Sequence, residues 1–217
     1  MHTYKYMFAV WSIVLISTGT ASAGEKWGAA SSTYFYRYIA GGNYWEYRTH
    51  QNEGGEGNFS IDSDLTYDVV NVKGLVSLGL SPVIKGKVTV GNAHWRGDGL
   101  LYLAEGFTYT GDEAKTLSMD VALDAVITET PPHGYVYTRV SVWTDDVFYW
   151  NTNDNFPTDG RLAWTTMNIT TTATTHLERT LTWNVEPGDT FWIWSRMELR
   201  SSWANSSTDA WNTMTFV

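Results

Sequence analysis

The segment Thr116-Leu-Ser-Met-Asp-Val-Ala-Leu-Asp-Ala-Val-Ile-Thr128 decides the fold class, because apolar and polar side chains alternate along it with a period of two. The alternation predicts that one side of the strand carries Leu117, Met119, Val121, Leu123, Ala125 and Ile127, and the other Ser118, Asp120, Ala122 and Asp124. Such a pattern is typical of an antiparallel sheet with one buried face and one wet face.

Similar segments recur on both sides of this strand, and their spacing predicts about ten strands with little helix. They are predicted near Tyr34–Ile39, Tyr44–Thr49, Ser60–Tyr67, Val69–Leu78, Val83–Val90, Tyr135–Trp143, Leu162–Thr172, Thr174–Val185, Thr190–Ser201 and Trp211–Val217. The segments Leu100–Leu103 and Gly106–Tyr109 are predicted to be extended. Loops are predicted at Gln51–Asn58, Asn92–Gly99 and Asn151–Gly160. The fold class that follows is all-β, an antiparallel β-sandwich of jelly-roll type, with a closed barrel as the alternative.

The first 23 residues have the pattern of a cleaved signal peptide. Lys5 precedes the apolar run from Met7 to Ile16, and Ala21-Ser22-Ala23 supplies the small residues of a cleavage site. The run is too short to cross a hydrocarbon core of about 30 Å as a helix. Neither a repeat nor a linker is visible after it, so residues 24–217 are predicted to form one secreted domain, extracellular or periplasmic.

Composition narrows the function classes. The 217 residues include 12 Trp and 13 Tyr, whereas disordered chains are poor in aromatic residues. A net charge of −9 disfavours nucleic acid and anionic lipid as partners. Cysteine is absent from the sequence, which removes thiol nucleophiles, thiolate metal sites and disulfides from consideration.

A hairpin is predicted around Gly41-Gly42, since both positions of a two-residue turn accept a positive φ. The register that this turn implies pairs Ile39 with Tyr44, Tyr38 with Trp45, Arg37 with Glu46 and Tyr36 with Tyr47. One face of the hairpin would then be wholly aromatic.

A second hairpin is predicted from Thr174–Val185 and Thr190–Ser201, joined through Glu186–Asp189. Its preferred register gathers the apolar side chains Leu177, Leu181, Trp183, Val185, Phe191, Ile193, Met197 and Leu199 on one face. The opposite face then holds Trp192, Trp194, Arg196, Glu198 and Arg200, bordered by Thr180, Thr182 and Asn184. A related pattern occurs at Tyr135, Tyr137, Arg139, Ser141 and Trp143.

Neighbouring indoles edged by polar groups are suited to sugars. The C–H face of a sugar ring stacks on indole, while its hydroxyl groups exchange hydrogen bonds with charged and amide groups. The predicted glycan-binding residues are Trp192, Trp194, Arg196, Asn184, Thr182, Tyr135, Tyr137 and Trp143. Two other interpretations stay open: the indoles pack under neighbouring segments, or they form contacts between proteins.

Signals for metal binding and catalysis are weak. Asn151, Asn153, Asn155 and Asp159 are the candidates for a calcium site, but Phe156 stands where an EF-hand loop needs glycine. No other cofactor is expected. The carboxylates available for glycoside hydrolysis are Glu46, Glu105, Glu129, Glu178 and Glu198, and their spacing does not show that any two converge. Arg96-Gly97-Asp98 matches an integrin-binding tripeptide at a predicted turn, a match that arises often by chance.

Two C-terminal segments carry a family resemblance: Val185-Glu-Pro-Gly-Asp-Thr190, and Thr208-Asp-Ala-Trp-Asn-Thr-Met-Thr-Phe216. Together with the leader they resemble exported bacterial proteins of the PEP-CTERM sorting type. The resemblance is to the ectodomain, because the Pro-Glu-Pro signal, apolar helix and basic end of the sorting tail are not found up to Val217. It implies a bacterial extracytoplasmic setting and a role in an exopolysaccharide matrix, and it supplies no catalytic residues.

These patterns together favour a non-catalytic extracellular protein that binds a polysaccharide or associates with a matrix. The alternative is a structural surface protein that self-associates through the same aromatic residues. A polysaccharide-active enzyme is the third hypothesis.

Overall fold

The computed structural model describes residues 21–38, 44–47, 51–56, 59–78, 82–91, 95–128, 134–144, 160–203 and 205–216. Side chains are described within these ranges from Ser60 to Trp211, except for Tyr67. The strands are β1 Ala21–Tyr38, β2 Tyr44–Tyr47, β3 Gln51–Glu56, β4 Phe59–Tyr67, β5 Val70–Leu78, β6 Val83–Val90, β7 Trp95–Tyr109, β8 Lys115–Ile127, β9 Gly134–Trp143, β10 Arg161–Ile169, β11 Thr174–Val185, β12 Thr190–Ser202 and β13 Ser206–Phe216.

The strands form two antiparallel sheets that pack against each other. Sheet A has the order β10-β9-β12-β7-β1-β2, with β3 also paired to β1, and sheet B has the order β11-β8-β13-β6-β5-β4. The predicted all-β sandwich is confirmed, in place of a single closed sheet. Its jelly-roll character stays a prediction.

The core lies between the inner faces of the two sheets, where the predicted alternation of β8 is confirmed. Leu117, Met119, Val121, Leu123, Ala125 and Ile127 are all buried in one apolar cluster. The intervening residues Ser118 and Asp120 are exposed, and Asp124 is half-buried. The residues that the period-two pattern predicts to face inward are therefore the ones that the structure buries.

Two predicted loops are strands. Gln51–Glu56 forms β3, which pairs with β1 from Glu25 to Ala30. Trp95–Gly99 belongs to the long central strand β7, which pairs with β1 on one side and β12 on the other. The glycines in these segments resemble turn signals, but Gly97 lies where the two sheets approach each other closely. A missing Cβ permits such an approach as readily as it permits a turn.

The hairpin of β1 and β2 exists, but its predicted register is wrong by one residue. Tyr38 pairs with Tyr44, Arg37 with Trp45 and Tyr36 with Glu46. Five residues therefore separate the last pair, where the prediction had two in the turn. Because a shift of one residue exchanges the faces of a strand, this register does not make a wholly aromatic face.

The first described residues belong to the predicted leader. Ala21–Ala23 pair with Phe107–Tyr109 of β7, and the register shifts between Ala23 and Lys26. Residues 1–20 lie outside the described residues. Cleavage after Ala23, which stays a prediction, would remove the three pairs before this irregularity and leave those from Lys26 onward.

The predicted hairpin of β11 with β12 is wrong, because the two strands belong to different sheets. β11 pairs with β8, whereas β12 pairs with β7 and β9. The turn between them passes from one sheet to the other, with Gly188 at a φ of 87°. The Asp189 carboxylate accepts a hydrogen bond from the Glu186 backbone N–H at 2.7 Å within this turn.

The apolar residues assigned to one face of that hairpin nevertheless all contribute to the core. Trp183 of sheet B and Phe191 of sheet A meet there edge to face, with ring centroids 5.5 Å apart. The apolar sides of the two strands face each other across the sandwich instead of lying side by side.

Candidate ligand-binding face

The outer face of sheet A carries the aromatic and charged residues that the sequence singled out. Directly paired residues of neighbouring strands share a face, so the registers of β10, β9, β12 and β7 define rows across it. The rows are Arg161, Trp143, Trp192 and Gly106; Trp164, Ser141, Trp194 and Ala104; Thr166, Arg139, Arg196 and Tyr102; Asn168, Tyr137, Glu198 and Leu100; and Tyr135, Arg200 and Asp98.

Aromatic side chains on this face form a second apolar cluster, separate from the core. It consists of Leu100, Tyr102, Ala104, Trp143 and Trp194, with Trp192 packed against it. Trp194 is only 7% exposed and Trp143 only 4%, whereas Trp192 is half-buried. A sugar ring therefore has no stacking surface on Trp194 or Trp143, although both lie on the predicted side of the sheet.

Among the described side chains of this face, the exposed indole is that of Trp164, on the edge strand β10, which the sequence did not single out. Its side chain is 52% exposed. The guanidinium carbons of Arg161 and Arg139 lie 4.9 Å and 5.6 Å from the centroid of its ring. These are distances at which a cation is attracted by the electrons of an indole ring.

An irregularity in β10 sets this arrangement. The register shifts between Arg161 and Ala163, so that Arg161 lies opposite Trp143 and Trp164 lies opposite Ser141. The Arg161 guanidinium is consequently also within 6.0 Å of the Trp143 ring. A β-bulge commonly redirects a side chain in this way.

An ionic network occupies the other end of the face. The buried carboxylate of Asp98 contacts Arg96 Nε at 2.7 Å and Arg200 Nε at 2.6 Å. Burial raises the pKa of Asp98 above its ordinary value, and the charges of Arg96 and Arg200 oppose that rise. The Arg200 guanidinium also lies 4.7 Å from the ring centroid of Tyr135.

Tyr135 links this network to Glu198. The Tyr135 hydroxyl donates a short hydrogen bond to Glu198 Oε1, and Glu198 Oε2 accepts a hydrogen bond from Arg196 at 2.9 Å. Burial, together with the Glu198 carboxylate, holds the pKa of Tyr135 above its ordinary value. These contacts span β7, β12 and β9 and fix the positions of the polar side chains across the sheet.

The described outer face of these four strands is positively charged within an acidic protein. It carries five arginines, Arg96, Arg139, Arg161, Arg196 and Arg200, against two carboxylates, Asp98 and Glu198. The resulting charge of +3 contrasts with −9 for the whole chain.

The predicted border residues Thr182 and Asn184 lie on sheet B, on the opposite side of the sandwich. Asn184 Oδ1 accepts a hydrogen bond from the Thr116 hydroxyl at 2.7 Å, and Thr182 pairs with Ser118. Thr180 donates a hydrogen bond to Asp120 at 2.5 Å on the same face. The structure therefore does not bring these residues together with Trp192. The error follows from the wrong pairing of β11 with β12.

The remaining candidates are dispersed. Among the three described catalytic candidates, Glu105 is buried on the inner side of sheet A, Glu178 lies on the outside of sheet B and Glu198 on the outside of sheet A. The side chain of Glu46, all of Glu129 and the calcium candidates Asn151, Asn153, Asn155 and Asp159 lie outside the described residues. No group of His, Asp or Glu among the described side chains has a metal-binding arrangement.

The tripeptide Arg96-Gly97-Asp98 is part of β7, and Asp98 is 5% exposed. The predicted turn is absent there, and the tripeptide is not displayed as an exposed loop would display it.

Comparisons with models of protein families, with curated proteins and with solved structures found no match to this chain. Within the described ranges, no helical segment has the length and apolar character of a membrane span.

Proposed function

We propose that this protein is a non-catalytic extracellular domain that binds carbohydrate on the outer face of sheet A. One observation carries the proposal: Trp164 presents a half-exposed indole, with two arginine side chains over its ring, on the outer face of sheet A. An exposed indole offers apolar contact to the C–H groups of a sugar.

Polar groups around this indole supply the hydrogen bonds that a sugar needs. Thr166 and Asn168 follow Trp164 on the outer side of β10, and Tyr137 lies opposite Asn168 on β9. Hydroxyl, amide and guanidinium groups can all bind sugar hydroxyls. The centre of the proposed site is therefore Trp164 and the half-buried Trp192, since Trp194 is covered.

Binding to an array of oligosaccharides tests the proposal with two matched variants, Trp164→Ala and Trp203→Ala. Trp203 is a suitable control because it is 49% exposed and follows the far end of β12, roughly 30 Å along the strand from the row of Trp164. We expect Trp164→Ala to weaken binding at least about tenfold, or about 1.4 kcal/mol, and Trp203→Ala to leave it unchanged. A wild-type protein that binds no glycan would refute the proposal, as would equal losses in the two variants.

Self-association is the second candidate function, favoured by the place of Trp164 on β10, which ends the order of sheet A. An exposed aromatic residue beside a sheet edge can contact a second copy of the same chain. Sedimentation velocity of the wild type and of Trp164→Ala without glycan separates the two functions. Loss of an oligomer in the variant supports self-association, whereas a monomer in both leaves glycan binding as the role of Trp164.

A further inference from the structure

Resting on the proposed function, we infer that the ligand is an anionic polysaccharide, bearing uronate or sulfate groups, and that arginines held by tryptophan rings bind its charges. The inference begins with the space around Trp164. The guanidinium carbons of Arg161 and Arg139 lie within 6 Å of its ring centroid, so a ligand that reaches this indole also meets arginine side chains. The same indole therefore offers its exposed area to a sugar and positions the arginine side chains beside it.

The N–H donors of a guanidinium group lie in its own plane, so they stay available to a ligand when the group stacks on an aromatic ring. Those donors match the two oxygens of a carboxylate, or two oxygens of a sulfate, in a bidentate geometry. Arg161 lies against both Trp143 and Trp164, so two rings restrict its side chain before any ligand arrives. A restricted side chain loses less conformational entropy on binding, which favours a tighter complex.

Charge is distributed along the face in a way that favours an anion at the tryptophan end. Asp98 and Glu198, the two carboxylates of the described outer face, lie in the rows that contain Tyr135 and Tyr137. Towards the tryptophan end, Arg161 lies in the row of Trp143 and Trp192, and Arg139 and Arg196 lie together in the row next to that of Trp164. The local positive field attracts an anionic chain to this face, whereas the net negative charge of the protein repels it from other surfaces.

A pair of ligands that differ only in charge tests the inference. Oligogalacturonate and its methyl ester share the same rings and linkages, but only the acid carries carboxylates. Calorimetric titration at about 20 mM and 150 mM NaCl measures the affinity of each, beside sulfated glycans, alginate and neutral glucans. We expect the acid to bind at least about tenfold more tightly than the ester, with a loss of affinity at higher salt because part of the attraction is screened.

Three variants assign the effect to the stacked arginine. Arg161→Gln removes the charge and is expected to weaken binding of the anionic ligand about tenfold, the loss typical of one charge-assisted contact. Arg161→Lys keeps the charge and loses the planar fork, so we expect an intermediate loss. Lys87→Gln removes a positive charge that is paired with Asp209 on sheet B and should leave the affinity unchanged. Circular dichroism establishes that each variant is folded.

The outcomes separate this inference from the proposed function. Equal affinity for the acid and the ester, or binding of neutral glycans alone, overturns the anionic ligand and leaves carbohydrate binding intact. Failure of every glycan to bind rejects the proposed function and this inference with it. Equally tight binding of poly-glutamate, which carries carboxylates without sugar rings, shows a general anion-binding face and overturns the polysaccharide as its ligand.

Discussion

Gly97 of β7 lies on the inner side of sheet A, where valines of sheet B pack closely against it. A Cβ atom at this position would lie 2.7 Å from Val88 Cγ1, 2.8 Å from Val70 Cγ1 and 3.2 Å from Val72 Cγ2. Favourable contacts between carbon atoms need about 3.5–4.0 Å. The three valines are at most 1% exposed, and β-branched side chains have little freedom at χ1. Gly97→Ala therefore forces the two sheets apart or distorts these side chains.

Overpacking of this kind costs roughly 1–3 kcal/mol. Replacing a strand glycine returns about 0.5–1 kcal/mol through the smaller entropy of the unfolded chain. We expect a net loss of about 1–1.5 kcal/mol in the free energy of unfolding. For a domain of this size the loss corresponds to a fall of about 2–6 °C in Tm.

Urea unfolding followed by circular dichroism measures the loss, with Gly91→Ala as the matched control. A Cβ at Gly91 would meet Val69 at an ordinary 3.4 Å, and the residue is exposed, so its substitution should change stability by no more than about 0.5 kcal/mol. In the double variant with Val88→Ala, the two losses should sum to more than the measured loss, because the smaller side chain relieves the contact. Equal stability of Gly97→Ala and Gly91→Ala, or strict additivity in the double variant, would show that the sheets are not packed as described.

Two further predictions concern the outside of sheet B and the leader. His176 contacts Asp124 at 2.7 Å and Glu178 at 3.0 Å, and hydrogen bonds to these carboxylates raise its pKa above 6.5. The protonated His176 should stabilise the fold by about 0.5 kcal/mol or less, because the groups are exposed. This stabilisation is complete below pH 6.5 and is lost as the pH rises through the folded-state pKa of His176. An NMR titration of His176 with a midpoint at or below 6.5 would contradict this, and His176→Gln should remove the pH dependence. Expression with the leader in a bacterium should yield a mature chain that begins at Gly24 by mass spectrometry, and retention of Met1 in the exported protein would contradict the predicted cleavage.

Much of the fold was predictable because the side-chain alternation of a strand is a local property. Leu117 to Ile127 of β8, and the apolar residues of β11 and β12, are assigned to the interior by their spacing alone. Strand ends were predicted closely where proline, glycine or charged residues interrupt a period-two run, as at β6 and β11. Segments rich in glycine were predicted wrongly, because Gln51–Glu56 and Trp95–Gly99 were expected to be loops and are strands. Glycine marks either a turn or a close approach between sheets, and only the neighbours decide which.

The candidate site was predictable only in part, because the alternation of a strand is local and the surroundings of a side chain are not. Alternation placed Trp143, Trp192, Trp194 and Arg196 correctly on the side away from the core, but it contains no information about what covers that side. The sequence pattern did not indicate Trp164, because the residues around it are placed by tertiary structure. Arg139 belongs to β9, and Arg161 reaches the indole only because the register of β10 is irregular. Thr182 and Asn184 were joined to the site through a strand pairing that does not exist.

The sequence by itself determined the class of the fold, the inward residues of its strands and the acidic, cysteine-free character of the chain. Only the tertiary structure decided which strands are neighbours, that β11 and β12 lie in opposite sheets, and that Trp194 is covered while Trp164 is exposed between arginines. The physical reason is that alternation depends on backbone geometry within one strand. The choice of neighbouring strands and the exposure of side chains depend on long-range packing. The four-residue turn between β11 and β12 is compatible both with a hairpin in one sheet and with a crossing between two sheets.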